Sequence, residues 1–312
     1  MIPKRKLRNI LQIREIPLLI FVLILSAFFA FTIEGFMTLK NFEVISRQIT
    51  TVGIVSIGMT LVLVTGGIDL SVGAMLSFAI NIGGLLIIRG IPIYAAYPFI
   101  LLLGAILGAI NGLLIVWVKV PAIIVTLGTM NIFRGAIMVI TKGKYITSIP
   151  QSYSWIGTGY TPFILFVVLL ICFEFALRKM QFGRNIIAIG SNEQSAIYSG
   201  VPVNKFKVIV YILSGTLSAL AGIIFIGRSG FIQPQAGIGY EMSSIAAVVI
   251  GGTSIYGGSG TVIGTFLGSL LMGLILAGIT MLAVNAYWQG VINGLLIILA
   301  ISFDTIRQMR RR

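Results

Sequence analysis

The sequence predicts an all-α polytopic membrane protein, about ten transmembrane helices forming one domain over residues 1–312. Three observations predict it. Hydrophobic residues make up 57% of the chain and charged residues only 10%, whereas a soluble domain carries about 25% charge. The apolar residues fall into ten runs, at about 17–34, 48–65, 70–88, 93–117, 121–141, 162–177, 206–227, 241–255, 261–282 and 287–303, most of them near the ~20 residues a helix needs to cross a bilayer. The runs are too long, and alternate too little, to be the strands of a barrel. Basic residues collect at the ends of the runs.

The basic residues orient the bundle. With the N-terminus inside, fifteen of the 22 Lys and Arg fall on the inner side, among them Lys4, Arg5, Lys6, Lys119, Arg178, Arg184, Lys205, Lys207 and Arg310. Six fall outside (Lys40, Arg47, Arg89, Lys142, Lys144 and Arg228), and Arg134 is left within a span. This bias places both termini in the cytoplasm. The basic N-terminus followed by an apolar run looks like a signal peptide, but no small-residue cleavage site follows, so it reads as a retained first span. The net charge of +14 is then a matter of topology and lipid contact. Basic patches interleaved with stacking aromatics are absent, and no nucleic-acid partner is expected.

Composition also removes several chemistries. The single Cys, Cys172, permits no intrachain disulfide. With no His there is no His-based metal site, no His base and no Ser-His nucleophile. No metal, no catalytic residue and no cofactor bound by this chain is expected.

Taken in order, the first feature is the break between the second and third runs, where Gly66 and Gly67 precede Asp69 and Ser71. An Asp at the centre of a membrane helix costs about 2.5–3.5 kcal/mol. The Gly pair can interrupt the helix, and Asp69 or Ser71 can cap the next one at Val72, at the favourable end of its dipole. A cap between two spans and a gate built on the break both remain open. Gly104, Gly108 and Gly112 in the fourth run, Ser214, Ser218 and Gly222 in the seventh, and Gly260, Gly264 and Gly268 in the ninth recur at helical spacing; such stripes let helices pack closely. Pro121 opens the fifth span at a tolerated first-turn position.

Residues 143–161 lie outside and carry Tyr145, Tyr153, Trp155 and Tyr160, as an interfacial belt or a lid. The inner segment at about 180–205 is the longest polar stretch. Within it residues 193–199 form a short helix, started by Ser191 or Asn192 and ended by Gly200 before Pro202. Such a helix has no buried role in the bundle and is available to a soluble partner. Glu193 offers a charged hydrogen bond, and the small Ala196 lets a partner surface come close. Glu174 and Arg178, spaced i,i+4, pair at an inner helix end, and Glu241 caps the eighth span.

Membrane-depth amides are few: Asn111, Asn131, Gln289 and Asn293. Each both donates and accepts, which suits an uncharged, hydroxyl-rich solute, although amides also bond across helices. Arg134 shares a face with Asn131 and has the reach to snorkel. The Gly-rich run at 251–260 lacks the Lys-Ser/Thr of a phosphate loop, and no GxxxxGK[ST] occurs anywhere. If the protein uses ATP, another chain binds it.

Together these residues resemble the permease family of ATP-binding-cassette importers for ribose and other monosaccharides. The likeness runs from Gly66-Gly67-Ile68-Asp69-Leu70-Ser71-Val72-Gly73 through Asn111-Gly112, Pro121, Thr126-Leu127-Gly128, Arg134-Gly135, Phe182-Gly183 and Ser214-Gly215 to Tyr240-Glu241, Gly251-Gly252, Gly257-Gly258 and Gly260, in order over nearly the whole chain. Ser195 departs from an Ala common in the family, and Ser243 stands where an acidic residue is frequent. The resemblance implies a fold like that of vitamin B12-type importers in the bacterial inner membrane. It also implies a homo- or heterodimer of permeases around one pathway, a cytoplasmic ATPase subunit that binds Mg-ATP, and an extracytoplasmic substrate-binding protein. The inner segment then looks like the coupling helix, with Gly190, Asn192, Glu193, Ala196 and Gly200 as its residues. Permeases for autoinducer-2, rhamnose and nucleosides look similar, so the solute stays open. An ion-coupled secondary transporter would want carboxylates at membrane depth, and only Asp69 comes near. A membrane enzyme would lack His, clustered acids and a reactive Cys.

Overall fold

A computed structural model describes residues 15–282 continuously and scattered residues between 285 and 305. The described helices are α1 Glu15–Thr32, α2 Leu39–Val64, α3 Val72–Ile87, α4 Ile93–Trp117, α5 Ala122–Thr141, α6 Thr161–Lys179, α7 Gln181–Ser191, α8 Glu193–Tyr198, α9 Val203–Ser229, α10 Tyr240–Ile250 and α11 Val262–Met281. Seven of them, α1, α2, α4, α5, α6, α9 and α11, are long and apolar enough to cross a membrane. The tenth predicted run is described only in part, and Gln289 and Asn293 lie outside the described residues.

Lipid is as apolar as Leu, so close packing and polar contacts, more than escape from water, hold such a bundle together. Buried α2 and α9 form its middle. On α4, Gly104, Gly108 and Gly112 let α9 come in backbone to backbone: a Cβ on Gly104 would lie 2.5 Å from the Gly215 carbonyl oxygen. Gly264 and Gly268 of α11 meet the carbonyls of Gly251 and Ala247 at α10 in the same way. Gly222 of α9 takes the Ile80 side chain of α3. These stripes are packing surfaces as expected, except that Gly260 sits before α11 and abuts Thr253. Thr60 and Thr265 join α2 to α11 by a 2.6 Å hydroxyl bond. Phe29 of α1 fills the space above Gly278 and joins Leu271 and Leu274 in a second apolar cluster.

Local chemistry moves several boundaries. Helix α2 begins at Leu39, before its apolar run, because Thr38 accepts the Asn41 N–H at 3.3 Å and Glu43 pairs with Arg47 one turn on. Glu174 does pair with Arg178. Its other oxygen also caps α11, accepting the N–H groups of Val262 (2.7 Å) and Ile263 (3.2 Å). In the 143–161 segment Trp155 and Tyr145 are exposed, as an interfacial belt requires, but Tyr153 is buried and donates its hydroxyl to the Ile91 carbonyl.

Two elements are too short to span. Helix α3 has 16 residues and α10 only 11, about 24 and 16 Å against the ~30 Å hydrocarbon core. The eighth run is therefore no full span. Both short helices begin inside the bundle, after a segment of non-helical chain. Residues 65–71 leave the end of α2 and climb back: Asp69 bonds Ser214, which lies beside Gly58, six residues before the end of α2, or about 9 Å up. Residues 230–239 descend from the end of α9 along α3. Ile232 lies against Gly84 and Gly237 against Gly73, about 16 Å lower, and α10 starts from there.

Candidate functional site

Non-helical backbone at membrane depth must find its partners inside the protein. In the first break, the 65–71 segment, the Ile68 carbonyl receives the Tyr211 hydroxyl (3.5 Å) and a share of the Thr126 hydroxyl (3.2 Å). Asp69 is fully buried. Its Oδ1 accepts both the N–H and the hydroxyl of Ser71, at 3.0 and 2.6 Å, and its Oδ2 accepts the Ser214 hydroxyl at 2.9 Å. Asn111 in turn donates to Ser71 Oγ at 2.8 Å. Asp69, Ser71, Asn111 and Ser214 are thus one network joining the break to α4 and α9.

This corrects two expectations. Ser71 occupies the cap position of α3 but makes no side-chain cap bond, because its hydroxyl is given to Asp69. Asp69 reaches no further along α3 than the Ser71 N–H. Asn111, one of the membrane-depth amides, is buried in this network, its N–H given to Ser71. Ser214, read from spacing as a packing residue, is a direct partner of the carboxyl. A small polar residue in a glycine-like stripe, at the helix that must face Asp69, was the signal available.

In the second break, the 230–239 segment, the carbonyls are taken up by Asn81 to Gln233 (3.4 Å), Ser77 to Pro234 (2.8 Å) and Arg134 to Ala236 (2.7 Å). Arg134 therefore reaches inward to the chain and not along lipid. Glu241 accepts the Gly239 N–H at 3.1 Å and so does serve the start of α10. Asn131, one turn before Arg134, is exposed and bonds its own helix at the Leu127 carbonyl.

At the other end of the first break, three pieces of chain meet without side chains between them. The Gly258 N–H donates to the Val64 carbonyl at 2.9 Å. A Cβ on Gly190 would overlap that same carbonyl oxygen and lie 2.5 Å from the Gly258 nitrogen. Gly257, at φ +89°, packs on Gly190 and Gly66. The ends of α2 and α7 and the 257–258 turn form a glycine joint.

From that joint the inner segment projects. The part before the short helix, read from the sequence only as polar, is helix α7. Asn192 caps α8, accepting the Ser195 N–H at 2.8 Å, and Gly200 follows at φ +78°, so the short helix stands where the sequence placed it. Its orientation differs from expectation. Ala196 is buried against Ile189 and Val203, and Glu193 is paired with Lys207 of the same chain at 2.7 Å. Ile197 and Tyr198 point outward, Tyr198 being 87% exposed. A cleft of about 710 Å³ lies between Glu193, Lys119, Pro121 and Gly67.

Comparison with known proteins gives the family. Residues 41–301 match the family described as branched-chain amino acid transport system / permease component. The chain is 39% identical over 292 residues to the ribose import permease protein RbsC of Haemophilus influenzae, covering 91% of this chain and 90% of that protein. It is 40% identical to RbsC of Bacillus subtilis, covering 83% and 82%. The autoinducer 2 import system permease protein LsrC of Photorhabdus luminescens is 35% identical, covering 93% and 89%. No solved structure matches the chain. The chain belongs to this family of bacterial importer permeases, as a multi-pass membrane protein.

Proposed function

As a member of that family, we propose, the chain is the membrane subunit of an importer that moves a ribose-like, uncharged sugar into the cytoplasm, driven by ATP that a separate ATPase subunit binds with magnesium and hydrolyses. The observation that carries the coupling is the glycine joint. Helix α7 is held backbone to backbone, at Gly190, against the end of α2 that leads into the break, and α8 is seated on α7 and α9 through Ala196, so a partner that moves α8 through Ile197 and Tyr198 moves the break with it. Gly190 serves the joint, Asn192 and Gly200 bound the helix, Ala196 seats it, and Glu193 ties it to α9. Movement of packed elements as rigid bodies around fixed breaks is what alternating access requires.

The rest of the assembly follows from the same reading. Gly66, Gly67, Asp69 and Ser71 form a pinned break and not a swinging gate. Helix α5 leaves open space at Gly128 and Gly135 with Asn131 exposed between them, a face suited to a pathway shared with a second permease copy. About ten membrane-embedded helices in a vitamin B12-importer-like arrangement, the third and eighth of them entering without spanning alone, both termini in the cytoplasm and an extracytoplasmic binding protein complete it. Of the four amides first considered for the solute, Asn131 keeps that role. Asn111 does not, and Gln289 and Asn293 await placement.

Proteoliposomes test this. Ribose uptake that needs both ATP and the ATPase subunit is expected. Uptake by the chain alone under a proton or sodium gradient would replace the proposal with a secondary transporter.

A further inference from the structure

Midway through the bundle, the second break leaves two opposite charges close together and unjoined. Arg134 is the thirteenth of the twenty residues of α5, about 18 Å along a helix of about 30 Å. One guanidinium nitrogen donates to the Ala236 carbonyl; its other N–H groups meet no acceptor among the described residues. Glu241, second in α10, gives Oε1 to the Gly239 N–H, and no described donor reaches Oε2. The two side chains hold neighbouring backbone groups of the same break, yet no ion pair within 4.0 Å joins them. One turn from Arg134 lies the exposed Asn131, whose Oδ1 meets no donor among the described residues, and the glycines Gly128, Gly135 and Gly239 have open space above them.

Charges at membrane depth are costly and mark places where polar groups pass. Here a cation with spare donors and an amide oxygen stand on the open side of α5, and an anion at the start of α10 keeps a spare acceptor oxygen beside Gly73 of α3. A charged solute would be repelled by one partner. A hydroxyl is not: it accepts from the guanidinium and donates to the carboxylate at once. We propose that Arg134, Glu241 and Asn131 form a hydroxyl-binding subsite for an uncharged, polyhydroxylated solute on the open face of α5. The subsite rests on the importer reading above.

The test uses the complete importer in proteoliposomes, with ribose as the probe. Arg134→Lys keeps a positive donor for the Ala236 carbonyl but loses the planar fork. Glu241→Gln keeps an acceptor for Gly239 but loses the charge. Both variants are expected to assemble and to hydrolyse ATP, on adding ribose-loaded binding protein, within about twofold of the parent. Ribose delivered per ATP is expected to fall about tenfold in each, as removal of one charged hydrogen bond entails. A parental ratio in either variant overturns the subsite, and so does loss of assembly in both, which would make the residues structural. A parent that imports no ribose with ATP overturns the importer reading itself.

Discussion

The two breaks solve one problem in opposite ways. Each brings non-helical backbone into the bundle and starts a helix there, and each has its carbonyls met by side-chain donors. The first is closed: Asp69 is buried, both its oxygens are taken, and the donors come from its own Ser71 and from α9. The second is open: Arg134 and Glu241 each hold one backbone group and keep spare capacity toward α5's uncovered face. A charge with every valence filled holds a structure, whereas a charge with capacity left over is placed to meet something that arrives.

The largest expected effect lies in the closed break. Asp69→Leu leaves the Ser71 N–H, the Ser71 hydroxyl and the Ser214 hydroxyl without an acceptor, at about 1–3 kcal/mol for each buried group. Recovery of the folded chain from membranes should collapse. Asp69→Asn keeps one carbonyl oxygen, and the Ser214 hydroxyl can turn to accept from the amide, so its melting temperature in detergent should fall only modestly. Equal recovery of the Leu and parent proteins would mean that the network holds nothing.

Gly190→Ala comes next. The methyl overlaps the Val64 carbonyl oxygen, and overpacking of this kind costs about 1–3 kcal/mol. ATP hydrolysis should continue while import per ATP drops, because α7 and α8 no longer move the break. Full coupling in this variant would remove the joint from the mechanism.

Two substitutions in α8 separate its faces. Ala196→Trp cannot fit between Ile189 and Val203, so limited proteolysis should cut within residues 190–200. Tyr198→Ala should leave that segment resistant yet weaken co-purification of the ATPase. Weakest of all, Asn131→Ala should leave the melting temperature unchanged, since the side chain bonds only its own helix.

Much of this was legible in the sequence. The apolar runs gave nine of the helices, and the turn chemistry of Asn192 and Gly200 gave α8 with its ends. Helix α7 was missed because its residues are too polar for a span, and because Gly183 and Gly190 look like breakers. Each is there for close approach: Gly183 meets the backbone of Leu177, Gly190 that of Val64. The re-entry of residues 230–239 was missed because non-helical chain inside a membrane has no hydropathy signature. Its donors, Ser77, Asn81 and Arg134, lie far off in the chain. Asp69 was found by its cost in lipid, but Ser214, the partner that lowers that cost, looked like any small residue in a helical stripe. The direction of Ala196 depended on how α8 leans on α7 and α9, which spacing alone does not fix.

The contrast between the breaks is tested most directly by measuring melting temperature and ribose import per ATP together in Ser214→Ala and Glu241→Gln. Ser214→Ala should lower the melting temperature and keep the ratio of import to ATP. Glu241→Gln should keep the melting temperature and lower the ratio. The reverse pattern, coupling lost at Ser214 and stability lost at Glu241, would contradict the assignment of structure to one break and solute to the other.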